Sequence, residues 1–338
     1  PDMPFESLSV TALGNIYLGL LALAVLLYAI LDGYDLGVGV LFPPHNEQFK
    51  DDMIASIGPY WDANETWLVL AVGILLIAFP EAHSQILQTL YLPATFMLLG
   101  LILRGVSFDF RAKVPHNKKP KWDTCFKYGS ILTTLSQGYM LGIWVTGLRT
   151  DIYAQGFALL AAFGVTAAYA FIGACWLILK SEGDLQAKAF YWAKRCLLVL
   201  ASGILAVSLL NLTLHDEVRV LWLESPVGWV LMTIPLTCFA LLLLCSVVLK
   251  KLPEAGGKGE WLPFAIALLI FGLCFAAFGI SYYPYVVPGK LAFMDVLSDG
   301  NSLRFLLVGA VVVVPCILAY TVLVYRIFAG KSEKLSYY

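Results

Sequence analysis

Acidic residues lie where this sequence makes them costly. Asp32 and Asp35 stand in Leu31-Asp32-Gly33-Tyr34-Asp35-Leu36-Gly37-Val38-Gly39, and Asp62 and Glu65 in Gly58-Pro59-Tyr60-Trp61-Asp62-Ala63-Asn64-Glu65-Thr66-Trp67. The first pair borders a long apolar run and the second lies about two turns inside one, and an ionised carboxylate at the centre of a bilayer helix costs about 2.5–3.5 kcal/mol. Residues three apart share a helical face, and two like charges in a low dielectric favour proton uptake by one of them. Both pairs therefore read as candidate proton carriers. The alternatives are structural: Asp32 and Asp35 at a helix end bonding loop amides, and Asp62 and Glu65 bonded to a basic partner such as Arg104. Trp61 and Trp67 read as interfacial-belt or packing residues.

A third cluster, Arg104-Gly105-Val106-Ser107-Phe108-Asp109-Phe110-Arg111-Ala112-Lys113, reads as an ordinary basic loop in which a salt bridge explains Asp109. The four histidines, His45, His83, His116 and His215, fall in loops or at helix ends, so none is placed to ligate a haem or copper in mid-span. No redox metal is expected in this chain. The seven cysteines are scattered without a CxxC pair and read as small apolar residues. No phosphate-binding GxGxxG or GKS/T motif occurs.

These residues must be positioned by helices in lipid. Of 338 residues, 60% are hydrophobic and 13% charged, with a net charge of −1, against about 25% charged in a soluble domain. Nothing in that balance points to nucleic acid. A span needs about 20 apolar helical residues, and nine runs qualify: 11–31, 54–79, 84–103, 124–146, 156–179, 196–214, 227–249, 261–283 and 304–328. The first is too long for a signal-peptide core and lacks a basic flank and cleavage site, so it is expected to be retained. With the N-terminus periplasmic and the C-terminus cytoplasmic, 18 of the 22 Lys and Arg, Lys334 among them, lie on the cytoplasmic side, as basic-residue retention requires. The expected architecture is all-α, polytopic, with about nine transmembrane helices forming one domain over residues 1–338 of a bacterial inner-membrane protein. A free-standing proton-coupled transporter would use the same acids but calls for an internal repeat, and none is seen.

Taken in order, the three clusters resemble subunit II of the cytochrome bd-type ubiquinol oxidases, within the cyanide-insensitive branch. The likeness is densest over the first 113 residues. It implies a haem-free partner of a haem-bearing subunit I, in a complex that oxidises quinol and reduces oxygen to water with cytoplasmic protons. The b and d haems would lie in subunit I. By the same resemblance, Asp62 lies on the proton route, Asp109 and Lys113 stand at its mouth, and Trp67 lies near an oxygen access path. Glu65 stands where some members carry Gln. A structural quinone accompanies subunit II in some relatives, with no site assignable here. Small single-helix subunits and lipid complete the expected partners.

Overall fold

The computed structural model describes residues 5 and 7–332, so Lys334 lies outside the described residues. The chain runs α1 (Val10–Leu41), α2 (Glu47–Ile57), α3 (Trp61–Ala78), α4 (Pro80–Lys113), α5 (Lys119–Val145), α6 (Ile152–Lys180) and α7 (Gly183–Leu214). Then come short turns α8 (Asp216–Arg219) and α9 (Gly228–Leu231), α10 (Thr233–Lys251) and α11 (Leu262–Tyr282). A small hairpin, β1 (Tyr285–Val287) with β2 (Leu291–Ala292), leads to α12 (Gly300–Ile327).

Polar side chains start several helices. Ser9 accepts from the Ala12 amide, Asn46 from Phe49, Asp151 from Tyr153 and Ala154, and Asp299 from Asn301 and Ser302. Each satisfies amides that a helix start leaves free. Only Phe79 separates α3 from α4, with Pro80 opening α4, where its missing N–H costs nothing. Inside α4, Pro93 cannot donate to the carbonyl one turn back, and the helix kinks at Leu90 (φ −108°, ψ 15°).

Two runs differ from expectation. The run 54–79 is two elements, because Pro59 disfavours helix at the residue before it and Gly58-Pro59-Tyr60 makes a turn between α2 and α3. The stretch Arg104–Lys113, expected as a loop, is the last turns of α4. Helices here simply outrun their apolar stretches, as α7 also does by starting at Gly183.

Among the described residues, eight helices are long and apolar enough to cross a membrane, and α5 is the long helix that does not qualify. Its length of 27 residues is ample, at about 40 Å. Its Asp123 end meets Lys50 (3.1 Å), while Val145 at its other end accepts from His215 at the opposite face (2.7 Å). Walled by α1, α4 and α6, α5 buries Ser130, Thr133, Thr134 and Ser136 against protein. A helix so covered is free to be more polar than one facing lipid.

Small residues bring the central helices close. A Cβ at Gly173 would lie 2.7 Å from the Val38 amide nitrogen, and one at Gly37 would overlap the Tyr169 carbonyl. The glycines of Gly33-Tyr34-Asp35-Leu36-Gly37 thus admit α6 rather than end α1. Trp176, Tyr34, Phe171 and Ile172 fill the main core beside this crossing.

At the face shared by α2, α4 and α5, an ion network ties the bundle. Asp123 accepts from Lys50 (3.1 Å) and from Arg111 Nε (2.5 Å), Arg111 also pairs with Asp51 (2.8 Å), and Lys50 with Glu47 (3.0 Å). The salt bridge expected for Asp109 is therefore made by Asp123, because Asp109 points outward from α4 and is exposed. Burial disfavours the Lys50 charge, but Glu47 and Asp123 outweigh it and hold its pKa above the ordinary 10.5. The folded value exceeds the unfolded one, so the stabilisation is whole below 10.5 and is lost as pH rises through the folded value.

Asp123→Asn, which leaves two buried cations short of a counter-charge, is expected to cost about 3–5 kcal/mol, read as a lower unfolding midpoint of the purified complex. A Lys50→Met complex should show a smaller alkaline loss of stability above pH 10.5 than the unaltered one. Equal alkaline loss in both would refute the linkage.

Candidate functional site

The acid pairs seen in sequence are re-paired across helices by the fold. Asp32 and Asp35 lie on α1, which continues to Leu41, so Asp32 sits nine residues, or about 13 Å, from the end of the helix. Neither bonds a loop amide. Arg104 on α4, 2% exposed, donates through Nη1 to Asp32 Oδ1 (2.7 Å) and through Nη2 to Glu65 Oε2 (3.0 Å). One guanidinium thus joins α1, α3 and α4.

Asp35, fully buried, is held by Asn64 Nδ2 at 2.7 Å. Asn64 also donates to the Tyr34 hydroxyl (3.0 Å), accepts from the Tyr325 hydroxyl (3.0 Å), and is itself fully buried. The hydroxyls of Tyr34 and Tyr325 lie 2.6 Å apart. Residues from α1 and α12 therefore converge on the Asn64 amide of α3, which holds the Asp35 carboxyl. Asp32 Oδ2, Asp35 Oδ1 and Arg104 Nε are buried without a protein partner, so polar capacity remains inside the cluster.

Beyond Asp32 the polar groups continue inward. The Tyr28 hydroxyl lies near Asp32 and accepts from Gln137 Nε2 (2.5 Å), whose Oε1 accepts from Tyr169 (2.9 Å). Toward the end of α4, Glu65 and Asp109 line one open groove of about 430 Å³ between α3 and α4, walled by Trp61, Leu101, Gly105 and Phe110. On its wall, Glu65 pairs with Arg104.

The remaining expected residues fall at the edges. Asp62, expected about two turns inside the span, is the second residue of α3 and exposed, because the turn at Pro59 restarts the helix at Trp61. Lys113 ends α4 and is exposed. Trp61 packs on Phe108. Trp67 is fully buried against Ala24, Tyr28 and Ala71, so it is a packing residue within this chain and not a belt residue.

Asn64 and Tyr34 were visible inside the two acidic motifs, since a polar side chain in an apolar helix calls for a partner. Gln137, inside the run 124–146, carried the same signal and was missed, while Tyr325 and Tyr28 carry none. A second cluster fastens the end of α12: Lys180 donates to the Tyr60 hydroxyl (2.8 Å) and to the carbonyls of Phe328 (2.6 Å) and Gly330 (2.9 Å).

Comparison with known proteins gives a consistent answer. The family model described as cytochrome bd terminal oxidase subunit II matches residues 13–328. Cytochrome bd ubiquinol oxidase subunit 2 of Bacillus subtilis is 28% identical over 351 residues, covering 96% of this chain and 99% of that protein. Cytochrome bd-I ubiquinol oxidase subunit 2 of Escherichia coli K12 is 28% identical over 357 residues, covering 91% and 92%. Among solved structures, the bd oxidase from Geobacillus thermodenitrificans matches with a TM-score of 0.75 at 20% identity, covering 94% of this chain and 98% of that one. At that identity the likeness establishes the fold.

Arg104→Gln strands Asp32 and is expected to destabilise the protein by about 3–5 kcal/mol, seen as a lower unfolding midpoint. Tyr325→Phe removes the hydrogen bonds to Asn64 Oδ1 and to the Tyr34 hydroxyl and should cost less, about 1–3 kcal/mol. Equal losses in the two variants would contradict the ranking.

Proposed function

This chain belongs to the cytochrome bd terminal oxidase subunit II family, and we propose that it supplies the cytoplasmic proton approach to a haem-bearing subunit I. It is thus a component of an oxidoreductase complex and a multi-pass protein of the bacterial inner membrane. In the proposed arrangement nine helices cross the bilayer, α5 included, with the N-terminus periplasmic. Quinol is oxidised and oxygen reduced to water in subunit I, which holds the b and d haems. The described residues of this chain do not fit a haem. His45 and His116 lie between helices, His83 opens α4, and the His215 ring is bonded to the Val145 carbonyl beyond the end of α7.

The observation that carries the proposal is the groove. Asp109 and Glu65 line it together, and Glu65 on its wall pairs with the buried Arg104, which also pairs with Asp32. Protons enter at Asp109 and Lys113, reach Glu65, and are shared among Glu65, Asp32 and Asp35. Three carboxyl groups there face one guanidinium, so the cluster has the spare acid capacity that a relay station in a membrane needs. Asp62, exposed at the start of α3, faces the partner subunit and hands protons across. Trp67 borders this path as packing between α1 and α3.

A scaffold role, favoured by the bonds that Arg104 and Asn64 make to their neighbours, predicts stability effects alone. Glu65→Gln keeps the hydrogen bond to Arg104, and Asp62→Asn alters no bond made by the side chain among the described residues. In the purified two-subunit complex both variants should retain the haem spectrum while quinol-driven oxygen consumption drops about tenfold or more, a barrier change of about 1.4 kcal/mol. Unchanged turnover per haem in both would remove these acids from the route.

A further inference from the structure

The N-terminal turns of α7 carry basic and aromatic groups that the proton approach does not use. Lys188 Nζ and the Arg195 guanidinium each lie 4.8 Å from the centroid of the same Tyr191 ring, and Lys188 lies 5.9 Å from that of Trp192. Lys194 is exposed on the same turns. Among the described residues, none of the three cations makes an ion pair. Cation–π contact fixes Lys188 and Arg195 beside one ring, and two cations so placed repel unless an anion lies between them.

The helix below shows what kind of anion fits. Positions 188, 191, 195, 198, 202, 205 and 209 alternate steps of three and four, so they form one stripe along α7. Past Arg195 that stripe presents Leu198, Leu205 and Leu209, exposed at 73%, 62% and 57%. From Arg195 to Leu205 is ten residues, about 15 Å, or half of a bilayer core. A negative headgroup at the top and apolar chains running down one leaflet match this surface from end to end.

We infer that Lys188, Tyr191 and Arg195 on α7 form a binding site for an anionic phospholipid, whose headgroup the two cations hold and whose acyl chains lie along Leu198, Leu205 and Leu209. Arg195 supplies the forked donor set suited to a phosphate, and Lys188 adds a second charge on the other side of the ring's turn. A free phosphate would use the cations but leave the apolar stripe idle, so the lipid is the ligand. The site is separate from Arg104 and its acids, and it does not depend on how protons reach subunit I.

The test is native mass spectrometry of the purified two-subunit complex titrated with phosphatidylglycerol or with phosphatidylcholine. The unaltered complex should retain phosphatidylglycerol about tenfold better, in line with the attraction of basic residues to anionic headgroups. In Lys188→Gln/Arg195→Gln that preference should shrink to within about twofold, with the haem spectrum and oxygen consumption unchanged. Lys250→Gln/Lys251→Gln, a basic pair at the end of α10 without aromatic neighbours, should keep it. Tyr191→Leu, which retains both charges but frees them, should lower it partway and serves as the measurement if the double variant fails to assemble. Equal retention of the two lipids by the unaltered complex, or an undiminished preference in both α7 variants, would overturn the site.

Discussion

Arg104 is the interaction on which the arrangement turns. A guanidinium buried between helices is tolerated only when its charge is met and its donors are used, and Asp32 and Glu65 do both from two other helices. The pairing fixes the rotation of α1 and α4 about their axes and the depth of α3 relative to each. Asp35 follows from it, since the turn of α1 that offers Asp32 to Arg104 carries Asp35 toward Asn64. A single basic residue therefore decides where the carboxyl groups stand.

Close helix packing makes such a pairing reachable. Gly37 and Gly173 let α1 and α6 touch through their backbones, which leaves room on the opposite side of α1 for α3 and α4 to approach the acids. In lipid, where apolar side chains gain little by leaving their solvent, small residues and buried polar bonds are what hold helices together. Both devices operate here, one on each side of α1. The ion network at Asp123 repeats the logic toward the helix ends, where Lys50, Arg111 and Asp123 are themselves buried and meet one another's charge.

Much of this was legible in the residues. Long apolar runs gave the helices because bilayer thickness sets their length, and Arg104, Asp32, Asp35, Asp62 and Glu65 stood out because charge in an apolar helix needs a reason. Partnership could be read only in part: Arg104 was legible as a partner for Glu65, but not for Asp32. Spacing of three along a helix suggested Asp62 with Glu65, whereas the turn at Pro59 and the rotation of α3 left Asp62 outside and turned Glu65 to Arg104. Local periodicity cannot report which helices become neighbours, so Tyr325, 261 positions from Asn64, was invisible. The modest apolarity of α5 has the same origin, since its neighbours and not lipid surround its Ser and Thr side chains.

The place of Tyr325 has a consequence for how the molecule is made. Because α12 follows every other described helix in the chain, the Asn64 amide lacks one of its fixed partners until α12 is made, and Tyr60 and Lys180 await the carbonyls of Phe328 and Gly330. The acidic interior is thus completed only once α12 has followed the other described helices out of the ribosome, so a chain cut short before Tyr325 would be released with that interior unfinished.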